Sequence, residues 1–499
     1  MTFPLPRLTE FTSAHLRLAR ALVCVAACAL ACGAHAGAQR DLRPQLSADQ
    51  AKQFSMDEVL KYVGPAGLER VDPWQPMADP LAQGAPFKPD YIVDARAKPN
   101  GRTLFATVQG AIDRAISEPH ARRRVYIELK PGAYDGLVIV PPATVAITLY
   151  SNAADASRTR LRANVDASTT GAEYAARYGK QFANSPPAVV AMFAATAAKA
   201  PIIDTISSPT LWVRNDGFQA RNITVENYYN EDPSKPDCID PACAATRNPA
   251  QLAGRSHQAV AMMVEAADKV QFENVRFIGH QDTLFLRSVA PGITVRSFFH
   301  KVYVEGDVDF IFGDTIAYFY RSEVRTLGAR SDKAFAVAPN TAYRARYGFV
   351  FDDCDFTNDG SPNALSSRFY LARQWFHRQK CTPYGPLDGV PDYQCTLGSV
   401  DAYSEPRGSV SQTVLETVGK VVIMNSRIGN HVRREQPWSE WNRIGTRSHR
   451  PAQLDSDEYW ANLARIGIDP VKQFGYAPQP REPFLAEFNN TYVTVPAQK

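Results

Sequence analysis

The sequence predicts an all-β fold, a right-handed parallel β-helix (a solenoid) with a short N-terminal helix and long loops around a cleft. Three observations predict it. Beyond Tyr91 the chain consists mostly of short β-rich runs punctuated by Asn, Asp and Gly, which is the turn chemistry of β proteins. The runs recur: Phe218-x4-Ile223-x-Val225 is similar to Phe272-x2-Val275-x-Phe277, and the implied coils of roughly 20–27 residues fall in the solenoid range. Tight two-residue hairpins, which a sandwich or barrel would use, are scarce, the only Asn-Gly being Asn100-Gly101.

The elements follow in order. Residues 1–38 carry a basic lead (Arg7, Arg17, Arg20), a short apolar run from Ala21 to Ala31, and small-x-small sites ending at Ala38. That layout is a secretory signal peptide, too short in its apolar run to span a bilayer, and it predicts export with cleavage after Ala38. The same segment contains Val25-Ala26-Ala27-Cys28, which fits a lipobox, so an outer-membrane lipoprotein anchored through Cys28 is the alternative. No later stretch reaches 18 apolar residues, so no transmembrane segment is expected.

Residues 39–90 are Pro-rich and weakly patterned and read as a lead-in. Residues 91–499 read as one domain. Apolar spacing near 3.6 predicts a helix within Phe105–Ser117. Strands are predicted at Arg124–Ile127, Thr144–Tyr150, Asn222–Val225, Lys269–Phe277, Val302–Val304 and Tyr347–Phe351. Two long loops, Tyr228–His257 and Phe376–Tyr403, interrupt the pattern, and loops of that length inside a compact domain are usually functional. They are expected to raise the cleft walls and to favour short oligomers over long polymer. Each holds a cysteine couple, Cys238 with Cys243 and Cys381 with Cys395. Export would permit either couple to form a disulfide, though spacing alone does not decide it. Cys354, in a strand-like alternation, reads as a buried free thiol.

Composition narrows the function. The 499 residues are 45% hydrophobic and 21% charged, which is ample for a core and excludes a disordered chain. The net charge of +4 is too mild to indicate nucleic acid, and no nucleic-acid-binding motif is present, but it leaves the protein free to approach an acidic polymer. There is no G-x-S-x-G elbow, no H-E-x-x-H, no paired C-x-x-C and no phosphate-binding loop, so no metal or nucleotide cofactor is indicated. His257 and His280 stand near polar clusters but read as structural or cleft-edge residues.

The chemistry-bearing residues lie in three segments: His257-Gln258-Ala259-Val260-Ala261, Gly279-His280-Gln281-Asp282-Thr283-Leu284-Phe285, and Gly306-Asp307-Val308-Asp309-Phe310-Ile311-Phe312-Gly313. Gln258 precedes Gln281 by 23 residues and Asp282 precedes Asp309 by 27, each about one coil. In a β-helix they would stack on one face, with neighbouring coils about 4.8 Å apart. Two carboxylates that close cannot both ionise freely, so the pair divides into an acid and a nucleophile. Glutamine amides can donate to a developing oxyanion. For any one of these pairs taken singly, a polar ladder on a solvated face remains the alternative.

These segments resemble the signature motifs of the pectin methylesterases. Gln281-Asp282-Thr283-Leu284 and Asp309-Phe310-Ile311-Phe312-Gly313 carry most of the resemblance. Gln258-Ala259-Val260-Ala261 is similar to Q-A-V-A, Gly132-Ala133-Tyr134-Asp135 to G-x-Y-x-E, and Leu371-Ala372-Arg373-Gln374-Trp375 to L-G-R-P-W. Thr107–Ile112 resembles the family's N-terminal helix and Phe484–Asn490 its closing motif, so the resemblance covers roughly residues 91–492.

The resemblance implies a cofactor-free, metal-free carboxylic ester hydrolase, here expected as a monomer acting on pectin or oligogalacturonides. It implies Asp309 as nucleophile, Asp282 as acid and then base, and Gln258 with Gln281 as oxyanion hole. Arg373 would pair with Asp309 and aim it, Trp375 would stack on a sugar ring, and Phe310 would line the next subsite. Three departures bear on substrate fit: Ala372 and Gln374 stand for Gly and Pro, His280 stands for an aromatic residue, and the Asp282–Asp309 interval is long.

Other readings stay open from the residues. A glycosidase would also use two close carboxylates, but the paired amides favour acyl transfer. A lyase would need a calcium-binding Asp cluster, and none is evident. Arg122–Arg124 and Arg433-Arg434 could serve a non-catalytic polysaccharide-binding module. An esterase or thioesterase acting on a non-pectin substrate is a further alternative.

Overall fold

The computed structural model describes residues 42–494, apart from 119–123, 230–257, 291, 331, 377–382, 385–394, 399–408, 443–448 and 477–480. Arg43–Lys499 forms one compact unit. Both long loops predicted to wall the cleft lie largely outside the described residues, as do Cys238, Cys243, Cys381, His257 and the whole segment 1–38.

Successive coils deliver strands to three parallel sheets in rotation. Met262–Glu265, Val270–Glu273 and Arg276–Ile278 form one turn. Leu284–Arg287, Arg296–His300 and Tyr303–Gly306 form the next, each pairing with its counterpart. Among the described residues the sheets hold eight, eleven and nine strands, and the pairing within them is parallel throughout. This is the right-handed parallel β-helix that the sequence predicts, right-handed as parallel crossovers almost always are.

The rungs refine the repeat. Ile223 and Val225 align with Val275 and Phe277, as expected, since Thr224 pairs with Arg276 and Val225 with Phe277. Phe218 does not align with Phe272, because Ala220 takes that place. The slip is two residues, so both Phe rings still point inward. Inside, Phe272, Phe299, Phe319 and Phe351 stack on consecutive rungs with centroids 4.9, 4.3 and 4.6 Å apart. At one corner Asn222, Asn274, Lys301, Arg321, Asp353, Asn425 and Asn489 all adopt positive φ. Asn and Asp tolerate that conformation best, which explains the turn residues seen in the sequence.

The predicted N-terminal helix is Val108–Ser117. Thr107 caps it, and Val108, Ala111, Ile112 and Ala115 are buried against the first strands of the core. The lead-in is not a separate body. Leu46, Ala51, Val59 and Leu60 cover the outer face of the eleven-stranded sheet at Phe298, Tyr318 and Val350. Tyr62–Pro65 pairs antiparallel with Ile293–Thr294, the excursion that lengthens the Asp282–Asp309 interval. Buried Arg296 staples the lead-in, its guanidinium reaching the Leu60 carbonyl at 2.6 Å and the carboxylates of Asp72 and Asp268 at 2.7 Å each.

Among the helices the structure adds where a nearly pure run of β coils is expected are Gly171–Phe182 and Pro187–Ala197. A complete capping box at Thr170 and Glu173 starts the first. Tyr174, Phe182, Val189 and Met192 anchor the pair on Leu137 and Ile139. Cys354 is a buried free thiol, as expected.

Candidate active site

The site lies on the outer face of the eight-stranded sheet. Its floor is one row of in-register residues: Ile139, Trp212, Met263, Phe285, Phe312 and Ala338, one per strand. Arg373 continues the row, because Ala372 pairs with Val337. Phe285 and Phe312 stack at 4.1 Å, and Trp375 stands edge-on to both at 6.2 and 5.8 Å. The result is an aromatic platform beside the polar residues.

The four polar residues stack as the intervals require. Gln258 and Gln281 form a parallel bridge. Leu284 pairs with Ile311, so Asp282 and Asp309 are also register partners, and the Asp282 amide donates to the Val308 carbonyl at 3.1 Å. Both aspartates have left-handed backbones, φ 66° and 54°. Held conformations of this kind, uncommon outside Gly, cluster at functional sites.

Neighbours of the motif residues hold this geometry. The buried Thr283 hydroxyl donates to the Glu305 carbonyl at 2.9 Å, tying the Asp282 turn to the next coil. Gly306 is required by close approach: a Cβ there would lie 2.2 Å from the Phe310 Cβ and 2.3 Å from the His280 carbonyl oxygen. His280 itself is buried, 4.0 Å from Asp307, which Arg330 clasps through two hydrogen bonds of 2.5 and 2.6 Å. The position thus serves a buried polar cluster beneath the turn.

The electrostatics distinguish the two carboxylates. Arg373 grips Asp309 with two hydrogen bonds, Nε to Oδ1 at 2.7 Å and Nη2 to Oδ2 at 2.6 Å. The guanidinium is itself sandwiched between the rings of Phe335 (3.9 Å) and Trp441 (4.3 Å). Such a bidentate, stacked pair fixes orientation as well as charge. Asp282 has no such partner. Burial, followed by the neighbouring Asp309 carboxylate, pushes its carboxyl well above the usual range, with Arg373 partly opposing. The pair therefore sets a carboxyl biased toward its protonated form beside one clamped by a guanidinium. Among the described residues no three His, Cys, Asp or Glu side chains converge as a metal site requires.

The Leu371–Trp375 departures are absorbed. The Ala372 side chain fits in the core with no exposure, and the strand keeps register on both sides. Buried Gln374 donates to the carbonyls of Gly419 (3.0 Å) and Gln453 (2.8 Å) and accepts from the Gln453 amide (2.7 Å). Arg373 is not displaced.

One residue falls elsewhere. Phe310, expected to line a subsite, is fully buried in the core. A register shift between Val308 and Ile311 breaks the strand's alternation, so Phe310 and Ile311 both turn inward. Phe312 and Phe285 take the sheet's outer face instead, both buried in an apolar cluster against which Trp375 packs. The apolar Phe-Ile-Phe run was the available signal, but it does not say which ring faces out. Phe335 and Trp441, which hold Arg373, carry no motif and could not be found by pattern.

The raised Asp282 carboxyl gives a testable result. A group with a raised folded-state pKa favours folding while protonated and costs stability once pH rises through that pKa. Asp282→Asn is therefore expected to leave thermal stability nearly unchanged below the ordinary carboxylate range. The variant should gain over wild type as pH rises, until Asp282 is fully ionised. A gain that is the same at every pH would contradict this assignment.

Comparison with known proteins places the chain in a family. A family model described as Pectinesterase matches residues 246–381, the stretch that holds both Gln and both Asp residues. Pectinesterase B of Dickeya dadantii (strain 3937) is 30% identical over 354 residues, covering 69% of this chain and 76% of that relative. YbhC of Escherichia coli (strain K12), provisionally described as an acyl-CoA thioester hydrolase, is 27% identical over 436 residues, 84% of each chain. Among solved structures, rice weevil pectin methyl esterase superposes with a TM-score of 0.63 at 23% identity, covering 91% of this chain and 98% of that one. With that identity spanning three quarters of a named relative, and a shared fold, the chain is an enzyme of the pectinesterase family.

Proposed function

We propose that the enzyme hydrolyses the methyl esters of galacturonate units in homogalacturonan or its oligomers, releasing methanol. The observation that carries this reading is the asymmetric pair: Asp309 is clamped by Arg373, while burial and the Asp309 charge push the carboxyl of its stacked neighbour Asp282 upward. An Asp309 oxygen attacks the ester carbonyl carbon. The side-chain amides of Gln258 and Gln281, one rung apart, donate to the oxyanion that forms. The bond to the methoxy oxygen then breaks, and Asp282 supplies the proton that completes methanol. An acyl anhydride on Asp309 remains. Asp282, now a carboxylate, deprotonates a water that attacks the acyl carbon; the anhydride breaks, restoring both aspartates and freeing the galacturonic acid, which ionises by giving its proton to solvent. Trp375, with Phe312 and Phe285, offers the apolar face of a sugar ring its platform.

Methanol release from methyl-esterified pectin tests the reading. Steady release without new reducing ends or unsaturated products is expected, and chain cleavage without methanol would overturn it. A second reading, hydrolysis of an acyl thioester, is favoured by the likeness to YbhC and needs the same acyl chemistry. Thiol release from an acyl-CoA, exceeding methanol release from pectin, would make it the first.

A further inference from the structure

Asp307 joins the turns that carry the two aspartates. Its amide donates to the His280 carbonyl at 3.1 Å, and the Asp282 amide donates to the Val308 carbonyl at 3.1 Å. Its own carbonyl accepts from the Phe335 amide at 2.9 Å, one coil further on. Phe335 is one of the two rings that hold Arg373. The backbone of this one residue therefore ties the coil of Asp282 to the coil of Asp309, and that coil to the support of Arg373.

The Asp307 side chain is 1% exposed, and a carboxylate that deep needs a partner. Arg330 supplies it, with Nε 2.5 Å from Oδ2 and Nη2 2.6 Å from Oδ1. Oδ1 also accepts from the Val308 amide at 2.7 Å, which caps the peptide leading into the left-handed backbone of Asp309. The His280 ring Nδ1 stands 4.0 Å from Oδ2, and Tyr229 lies within the electrostatic reach of Arg330. No step of the proposed reaction uses this ion pair. Buried ion pairs add little stability over apolar residues of the same volume, so stability alone does not account for it.

We propose that Asp307, clasped by Arg330, is a positioning residue of the active site: it fixes the turn of Asp309 and sets a further carboxylate charge beneath the turn of Asp282. The inference rests on the esterase reading. The charged groups that face Asp282 are Asp309, Arg373, Asp307 and Asp204. Asp307 acts on Asp282 in the same direction as Asp309, favouring the protonated form, while Arg373 opposes both. Asp282 must carry a proton when the methoxy oxygen leaves, so the charge of Asp307 widens the pH range over which the acid is ready.

The test uses the full chain as wild type, Asp307→Asn and Arg330→Lys, with a fully methyl-esterified galacturonate hexamer. Asp307→Asn removes the charge and keeps an acceptor for the Val308 amide. Its kcat is expected to fall about tenfold with KM moving less than about twofold, because Asp307 touches no substrate. The basic limb of its kcat profile should move to lower pH by roughly one unit, the effect of removing one charge several ångströms away at an effective dielectric of about 20. Arg330→Lys keeps the cation and should leave the limb close to its wild-type position. A limb that does not move in Asp307→Asn, with melting lowered at every pH, would reduce the pair to scaffolding and overturn the proposal. An Arg330→Lys limb displaced as far as that of Asp307→Asn would overturn it too. If wild type releases no methanol, the esterase reading fails separately, and melting curves decide the pair. The stability gained by Asp282→Asn should then level off at a pH lower by roughly one unit in the Asp307→Asn background if the charge is felt, and at the same pH if it is not.

Discussion

Asp309→Ala is expected to lower methanol release by at least about 10³-fold, because removing the proposed nucleophile would leave only binding and the proposed oxyanion contributions. The variant should still bind substrate, since the aromatic platform and Gln258 and Gln281 are untouched. It also leaves Arg373 without its carboxylate. Removing one partner from a buried pair costs about 3–5 kcal/mol where the charge is fully enclosed. Arg373 keeps 12% side-chain exposure and lies between two rings, so a smaller loss is expected. Asp309→Asn is the sharper probe: it preserves the shape, and the amide does not attack. A melting curve beside the methanol assay separates chemistry from folding. Substantial turnover, above about a tenth of wild type, in either folded variant would remove Asp309 as the nucleophile.

Gly313→Ala is expected to damage fold and activity together. Gly313 sits at φ +136°, outside the range open to L-residues, and a Cβ there would lie 1.7 Å from the Leu286 carbonyl oxygen. Neither neighbour can yield easily. Gly313 pairs with Leu286 on one side and Pro339 on the other, within the sheet that carries the site. Relief must come from moving the strand, which displaces Phe312 and Asp309 with it. A loss of roughly 3 kcal/mol or more follows, in the range of backbone strain combined with overpacking. A thermal melt and the methanol assay check it. Unchanged melting and full turnover would show that the close approach is not rigid.

The sequence by itself determined the coil period and the stacking of the polar residues. The intervals of 23 and 27 residues placed Gln258 beneath Gln281 and Asp282 beneath Asp309, because a parallel β-helix turns chain distance directly into register. The motif around Arg373 likewise pointed to its partner, although two of its residues depart from the family pattern. Tertiary structure alone decided which aromatic ring faces the cleft. A one-residue shift between Val308 and Ile311 sent Phe310 inward and left Phe312 on the outer face of the sheet beside Phe285, and no periodicity announces a shift of that kind. It also decided what holds Arg373, since Phe335 and Trp441 meet it only through stacking across coils. The two inserted helices were legible locally, through the Thr170–Glu173 capping box, but their destination was not. That these helices pack on Leu137 and Ile139 was decided by the tertiary structure. Such contacts are set by how the apolar faces of the whole chain close on one another, which a local pattern does not encode.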